Sequence, residues 1–252
     1  MSAAEILAAL DLPDAARVDR RVPKTLLVEH GAPTAADRRQ VNEGVEELFW
    51  VAALKPTTIG VPAFRDDLRE YLEIAVVRLH LRADAKTGRL VELVHRAVPY
   101  PVLLVAEQGE RTNLSLAHKR RSQGEAGKTV LDGEVVNADC DDAGDAPHAA
   151  AFRDALALHR QPRGTLYALY QGWLDTLLTL QAAWRTGSFA TPDSAAHAAA
   201  RRAALQDCSR LDMKAAGLRT AAAREKQLAR QVELNLELKR VEAAQAIARA
   251  QL

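Results

Sequence analysis

The chain has 252 residues, 48% of them hydrophobic, enough for one large domain or two ordinary ones with a real core. Its 34 Lys and Arg against 33 Asp and Glu leave a formal charge of +1, which excludes a global field that recruits nucleic acid or membrane; such a contact needs a local cluster. Cys140 and Cys208 lack any CxxC or metal-ligand spacing, which suits free thiols in a reducing, cytoplasmic setting, and no run of about 18 apolar residues offers a membrane span.

Ile6, Leu7 and Leu10 after Ser2 predict a short leading helix closed at Leu12-Pro13. Thr25 to Glu29 reads as a short β-type run ending at His30-Gly31. Thr34 is the expected N-cap of a helix from Ala35 to Leu48, with Asp37 in its first turn and Val41, Val45 and Leu48 on its buried side. Phe49 to Leu54 predicts a buried strand stopped by Lys55-Pro56. Glu70 to Arg82 predicts the clearest strand, and its apolar side chains on both faces place it centrally in a sheet. Leu90, Val91 and Val94 predict a helix from Arg89 to Ala97, ended by Pro99 and Pro101 because proline lacks an amide proton and restricts its predecessor. Strands are expected at Val102 to Ala106 and Leu114 to Lys119, with a turn at Gln108-Gly109-Glu110 between them, and a last strand at Thr129 to Ala138.

The acidic, turn-rich stretch Asp139 to Pro147 reads as a domain boundary. Beyond it, helices are expected at Ala149 to His159, Thr165 to Thr186 and Ser194 to Ser209, followed by a single long helix from Met213 to Leu252, up to about 60 Å at 1.5 Å per residue. Leu234, Leu238, Val241, Ala248 and Leu252 form a partial heptad seam on it, interrupted by Gln245, and are the candidate partner-binding residues, including for a homo-oligomer. The expected fold class is α+β: a mixed-sheet body over residues 1–145 with packed helices, then an α-helical, coiled-coil-like region over 146–252 that ends in a long helix.

Arg20, Arg21 and Lys24, with His118, Lys119, Arg120 and Arg121, are the candidate nucleic-acid contacts, since such groups bind phosphate through charge-assisted hydrogen bonds. A solvated strand end accounts for the same residues, and the run has no flanking aromatic platform. Glu43, Glu46, Glu47, Asp66, Asp67, Glu70, Glu73 and Lys119 could supply a metal nuclease, but Glu73 is followed by Ile74-Ala75 rather than the x-Lys of the common restriction-nuclease core. His30, His80 and His95 show no HxH or HExxH spacing, so no metal is expected, and His80 and His95 read as structural. Ser115 lacks a G-x-S-x-G elbow, no phosphate-cradling glycine loop occurs, and Trp50 and Trp173 read as core aromatics. No catalytic residue and no cofactor is therefore expected.

The phrases RVPKTLL (21–27), WVAALKP (50–56), YLEIAV (71–76), HRAVPYPVLL (95–104) and LSLAHKR (114–120) occur together in the chain. As a set it resembles the bacterial family catalogued as domain of unknown function 4391, over roughly Arg20 to Gly133. The family has no assigned activity. Its members tend to be encoded beside a helicase and a DNA methyltransferase, in islands like restriction or phage-defence systems. The resemblance implies a non-catalytic accessory or assembly subunit with those two proteins as partners, the alternative being a metal-dependent nuclease subunit of the same system.

Overall fold

Ser2 opens the first helix, α1 (Ala3–Ala9), by a reciprocal cap: its hydroxyl accepts the Glu5 N–H while the Glu5 carboxylate accepts the Ser2 N–H. This computed structural model describes residues 1–125, 127–140 and 148–252. Contacts divide the chain into two compact units, Met1–Leu177 and Leu178–Leu252. The acidic stretch read as a boundary lies, from residue 141 to 147, outside the described residues.

The first unit is built on a sheet of six strands, β1 (Arg17–Arg21), β2 (Val45–Leu54), β5 (Ile74–Leu81), β6 (Val102–Gln108), β7 (Arg111–Leu116) and β10 (Val136–Asp139), which lie side by side in that order. Two small pairs lie outside it, β3 (Phe64–Arg65) with β4 (Glu70–Tyr71), and β8 (Lys119–Arg121) with β9 (Thr129–Leu131). Neighbours in the main sheet are antiparallel except β5 and β6, which α5 (Thr87–Ala97) joins as a crossover. As the two-sided apolar pattern required, β5 is central: Ala75, Val77, Leu79 and Leu81 meet a core built with α5, while Ile74 and Val76 are buried on the other face.

Several elements differ from expectation for local reasons. Thr25 to Glu29 is not a strand but lies in a helix, α2 (Lys24–Gly31), because it packs on α5, and that packing overrides the β-type run. The crossing is close: a Cβ on Gly31 would stand 2.7 Å from both the Ala97 Cβ and the Leu93 oxygen. The helix opened by Thr34, α3 (Ala35–Gly44), ends four residues early, because Val45 and Leu48 satisfy a strand pattern equally well and pair with Leu81 and Leu79 of β5. The long strand from Glu70 divides, since Leu72 and Glu73 step out of the ladder. The last strand divides as well, at Gly133, whose φ of 92° is open to glycine and costly for other residues.

Asp37 ties α3 to α5. The Arg89 guanidinium donates to both of its oxygens at 2.8 and 3.0 Å, and with the Thr34 hydroxyl it holds the carboxyl down at about 2. A carboxylate held lower in the fold than in the open chain stabilises above about 3.8, and that stabilisation is lost as pH falls through about 2. Asp37→Asn is therefore expected to lower the urea midpoint at pH 7, with the gap between wild type and variant shrinking towards pH 2; an undiminished gap at low pH would assign the effect to packing.

A single helical turn, α4 (Pro56–Ile59), follows β2. After β10 come α6 (Ala149–Leu156), a 3₁₀ turn at Leu158–Arg160, and α7 (Leu166–Thr186), within which the two units divide. The second unit contains α8 (Ala195–Arg224) and α9 (Leu228–Arg249), which pack together. The single helix expected from Met213 to Leu252 is thus interrupted. The Glu225 carboxylate accepts the N–H groups of Lys226 and Gln227, and the chain turns back there without glycine or proline. Lys214–Glu237 and Arg219–Glu242, each at 2.8 Å, set the register of the hairpin. The fold class is the expected one: a mixed α/β body and a helical C-terminal region ending in a 22-residue helix.

Candidate functional site

The two basic groups sit on different elements. Arg20 and Arg21 lie exposed on edge strand β1, with Arg21 3.3 Å from Glu47, while Lys24 at the start of α2 donates to the Val45 carbonyl at 2.8 Å. At β8 the four consecutive residues have four separate fates. His118 is half-buried between Tyr71 and Gln171; Lys119 is only 3% exposed; Arg120 lies 3.9 Å from Asp132, and Arg121 lies 3.5 Å from Glu70. Strand alternation produces this split, turning Lys119 inward between outward neighbours.

Tyr170 creates the corner. Its hydroxyl accepts the Ala117 N–H at 2.8 Å and lies 2.8 and 3.0 Å from the carbonyl oxygens of Val102 and Ala117, ending β7 and redirecting the chain into β8. Aromatic rings do gather here, contrary to the reading of a run without an aromatic platform. Tyr167 stacks on Phe64 at 4.9 Å and on His118 at 5.0 Å, with Tyr71 edge-on and the Arg69 guanidinium 5.7 Å from the Tyr167 ring centre. Their contribution was hidden because they arrive from β3, β4 and α7, more than 40 residues away on either side.

A directional relay runs through this cluster. Burial pushes the Tyr71 phenol well above its usual range, so it stays protonated and donates to His118 Nδ1 at 2.5 Å. His118 Nε2 then donates to Gln171 Oε1 at 2.8 Å, and Gln171 donates to Asp175 at 2.9 Å. Around it, Arg69 pairs with Asp132, and Arg65 and Arg121 with Glu70. Carboxylates thus offset the arginines, and the arrangement is better suited to holding the corner than to offering bare charge to a phosphate backbone.

Lys119 faces the body of the protein instead. Its ammonium donates to the carbonyl oxygens of His95 and Val98 at the end of α5, which satisfies acceptors the helix leaves open. Burial pushes its pKa down to about 7. Neighbouring His95 is fully buried, bonded through Nε2 to the Ser115 hydroxyl at 3.0 Å, and held neutral by burial with a pKa of about 3. Its geometry is that of a structural residue inside α5, the helix in which the sequence placed it.

The carboxylates considered for a nuclease do not converge. Glu73 is buried against Lys55 at 3.1 Å, Asp66 accepts the Leu68 and Arg69 N–H groups of its own turn, and Glu70 binds arginines. Among the described residues no group of three or more His, Cys, Asp or Glu is placed to hold a metal.

In the second unit, the predicted seam meets α8. Leu234 and Val241 are buried, and Leu238 and Ala248 pack with Leu211 and Ala215 of α8, whereas Leu252 lies half-buried beyond the helix end. The interrupting Gln245 donates to Asp212 at 2.7 Å. The face not singled out in the sequence is the open one. Leu228, Val232, Leu236 and Ile247 are 75, 49, 53 and 68% exposed and fall within an arc of about 100° on α9, opposite the buried Leu234 and Val241, with Leu236 and Ile247 bordering recesses that α8 also lines. Beside it, a recess of about 560 Å³ is bordered by Leu211, Leu236 and Val241 together with Arg210, Lys214 and Glu233.

Fold and surfaces together define an α/β protein with a C-terminal helical hairpin. Residues 10–244 match the family described as Domain of unknown function (DUF4391), and the chain belongs to that family. Neither the curated proteins nor the solved structures contain a match. No helix among the described residues is long and apolar enough to cross a membrane.

Proposed function

We propose that this protein is a non-catalytic accessory subunit that binds a larger protein through the outward face of α9, within a bacterial restriction-like or phage-defence system that includes a helicase and a DNA methyltransferase. The observation that carries the reading is the stripe Leu228, Val232, Leu236 and Ile247, whose large apolar side chains stand in solvent at helical spacing although α9 has already buried its other face. Such a stripe, beside a recess rimmed by charges, suits an amphipathic helix of a partner, with apolar anchors giving affinity and the rim giving orientation. The helicase and the methyltransferase come from the family's genetic setting, and contact with DNA would be secondary to theirs.

Co-purification tests the reading. The wild-type chain is expected to form a complex with one of the two neighbouring gene products, and Val232→Glu with Leu236→Glu should weaken it by at least about tenfold, roughly 1.4 kcal/mol, with helicity unchanged. A complex indifferent to the double substitution would reject the surface. Metal-dependent DNA cleavage by the purified chain would reject the non-catalytic reading in favour of a nuclease subunit.

A further inference from the structure

We propose that the recess between the C-terminal ends of α2 and α5 and the β8–β9 pair binds a small phosphomonoester, with Lys119, Arg38 and Arg96 holding the phosphate. The recess has a volume of about 480 Å³, within the range of small-molecule sites. Three cationic side chains border it from three separate elements, α3, α5 and β8, while Ala32, Pro33, Val130 and Leu131 provide an apolar wall against which the carrier of the phosphate can pack.

Lys119 supplies the deciding geometry. An ammonium has three protons, and two are taken by the His95 and Val98 carbonyls. Among the described residues nothing accepts the third, although the side chain is 3% exposed and borders the recess. A buried charged donor left unsatisfied is costly, and a phosphate oxygen answers both the charge and the missing acceptor. Arg38 and Arg96 are exposed at the rim; Arg38 Nε donates to the Ala32 carbonyl at 3.4 Å and Arg96 pairs with Glu92 at 2.7 Å, and the N–H groups each has left over suit the remaining oxygens. Capping α5 explains two of the ammonium's bonds; it leaves the third proton without an acceptor on a recess that Arg38 and Arg96 also border.

The other charged or titratable groups on the recess are Glu29, His30 and His95. His95 is held neutral and burial brings the Lys119 pKa down to about 7, so above pH 7 an arriving dianion favours the ammonium over the amine and binding takes up a proton. Calorimetry on the full chain at pH 7.5, in two buffers of different ionisation enthalpy, tests this with ribose 5-phosphate, inorganic phosphate and citrate. Ribose 5-phosphate is expected to bind with proton uptake and more tightly than inorganic phosphate, with citrate weakest. Arg38→Gln with Arg96→Gln, both at exposed positions, should weaken it by at least about tenfold. No binding of any probe at millimolar concentration, binding unchanged in the double variant, binding without proton uptake, or citrate as tight as the sugar phosphate would each overturn the proposal. Lys119→Met disturbs the end of α5, so the arginine pair is the variant that decides.

Discussion

Replacing Trp173 with alanine is expected to cost about 3–5 kcal/mol, the largest loss from any single truncation in the first unit. Trp173 is wholly buried in α7, and its indole N–H donates to the Leu156 carbonyl at 2.8 Å, fastening α7 to the end of α6. Alanine removes the ring, opens a cavity that rigid neighbours fill only partly, and leaves a buried carbonyl without its donor. Trp173→Phe separates the two parts: it keeps most of the packing and should lose about 1 kcal/mol for the hydrogen bond. Urea denaturation followed by far-ultraviolet circular dichroism measures both. Against the roughly 5–15 kcal/mol by which domains are stable, the alanine variant should be partly unfolded at 37 °C. Equal losses in the two variants would show that the hydrogen bond, not the ring, carries the joint.

Val241→Asp is the second large effect, and it separates folding of the hairpin from its use. Val241 is buried with Leu211 and Ala215 in the small core that joins α9 to α8. A carboxylate there has no cation within the core to meet, and burying it unpaired costs several kcal/mol, more than Lys214–Glu237 and Arg219–Glu242 return, because both pairs are about half-exposed. The expected result is loss of α9 helicity, read as reduced signal at 222 nm and rapid amide exchange over Leu228–Arg249, together with loss of partner capture. Leu236→Glu, on the opposite face, should leave helicity intact and affect capture alone. If Val241→Asp kept full helicity, the hairpin would owe its stability to contacts other than this core.

Much of the sheet was legible because β5 and β6 are buried on both faces over most of their length, Ile74–Val77 and Val102–Ala106, and are apolar there, while proline pairs and Gly109 punctuate them. The cap at Thr34 was legible for the same local reason, its hydroxyl accepting the Asp37 N–H; Ser2 and Ser194, not read as caps, accept the Glu5 and His197 N–H in the same way. The β8 corner was not. A written run of His118, Lys119, Arg120 and Arg121 looks like one surface cluster, yet alternation sends Lys119 inward, and Asp132, Glu70 and Tyr71 approach from segments that no local pattern connects to it. The turn at Glu225–Gln227 was equally hidden, since its residues favour helix and only the gain from packing α9 on α8 makes reversal worthwhile.

What the residues alone determined was composition-driven: an α/β body, a helical C-terminal region, near-balanced charge and family membership, all properties of local pattern or of the order of phrases. Which cations are spent inside and which face outward, where α9 turns back and which of its faces remains open were decided only in the folded chain. The physical reason is that burial and pairing depend on neighbours distant in sequence. A side chain's chemistry is written at its own position, while its availability is settled by whatever the fold brings against it.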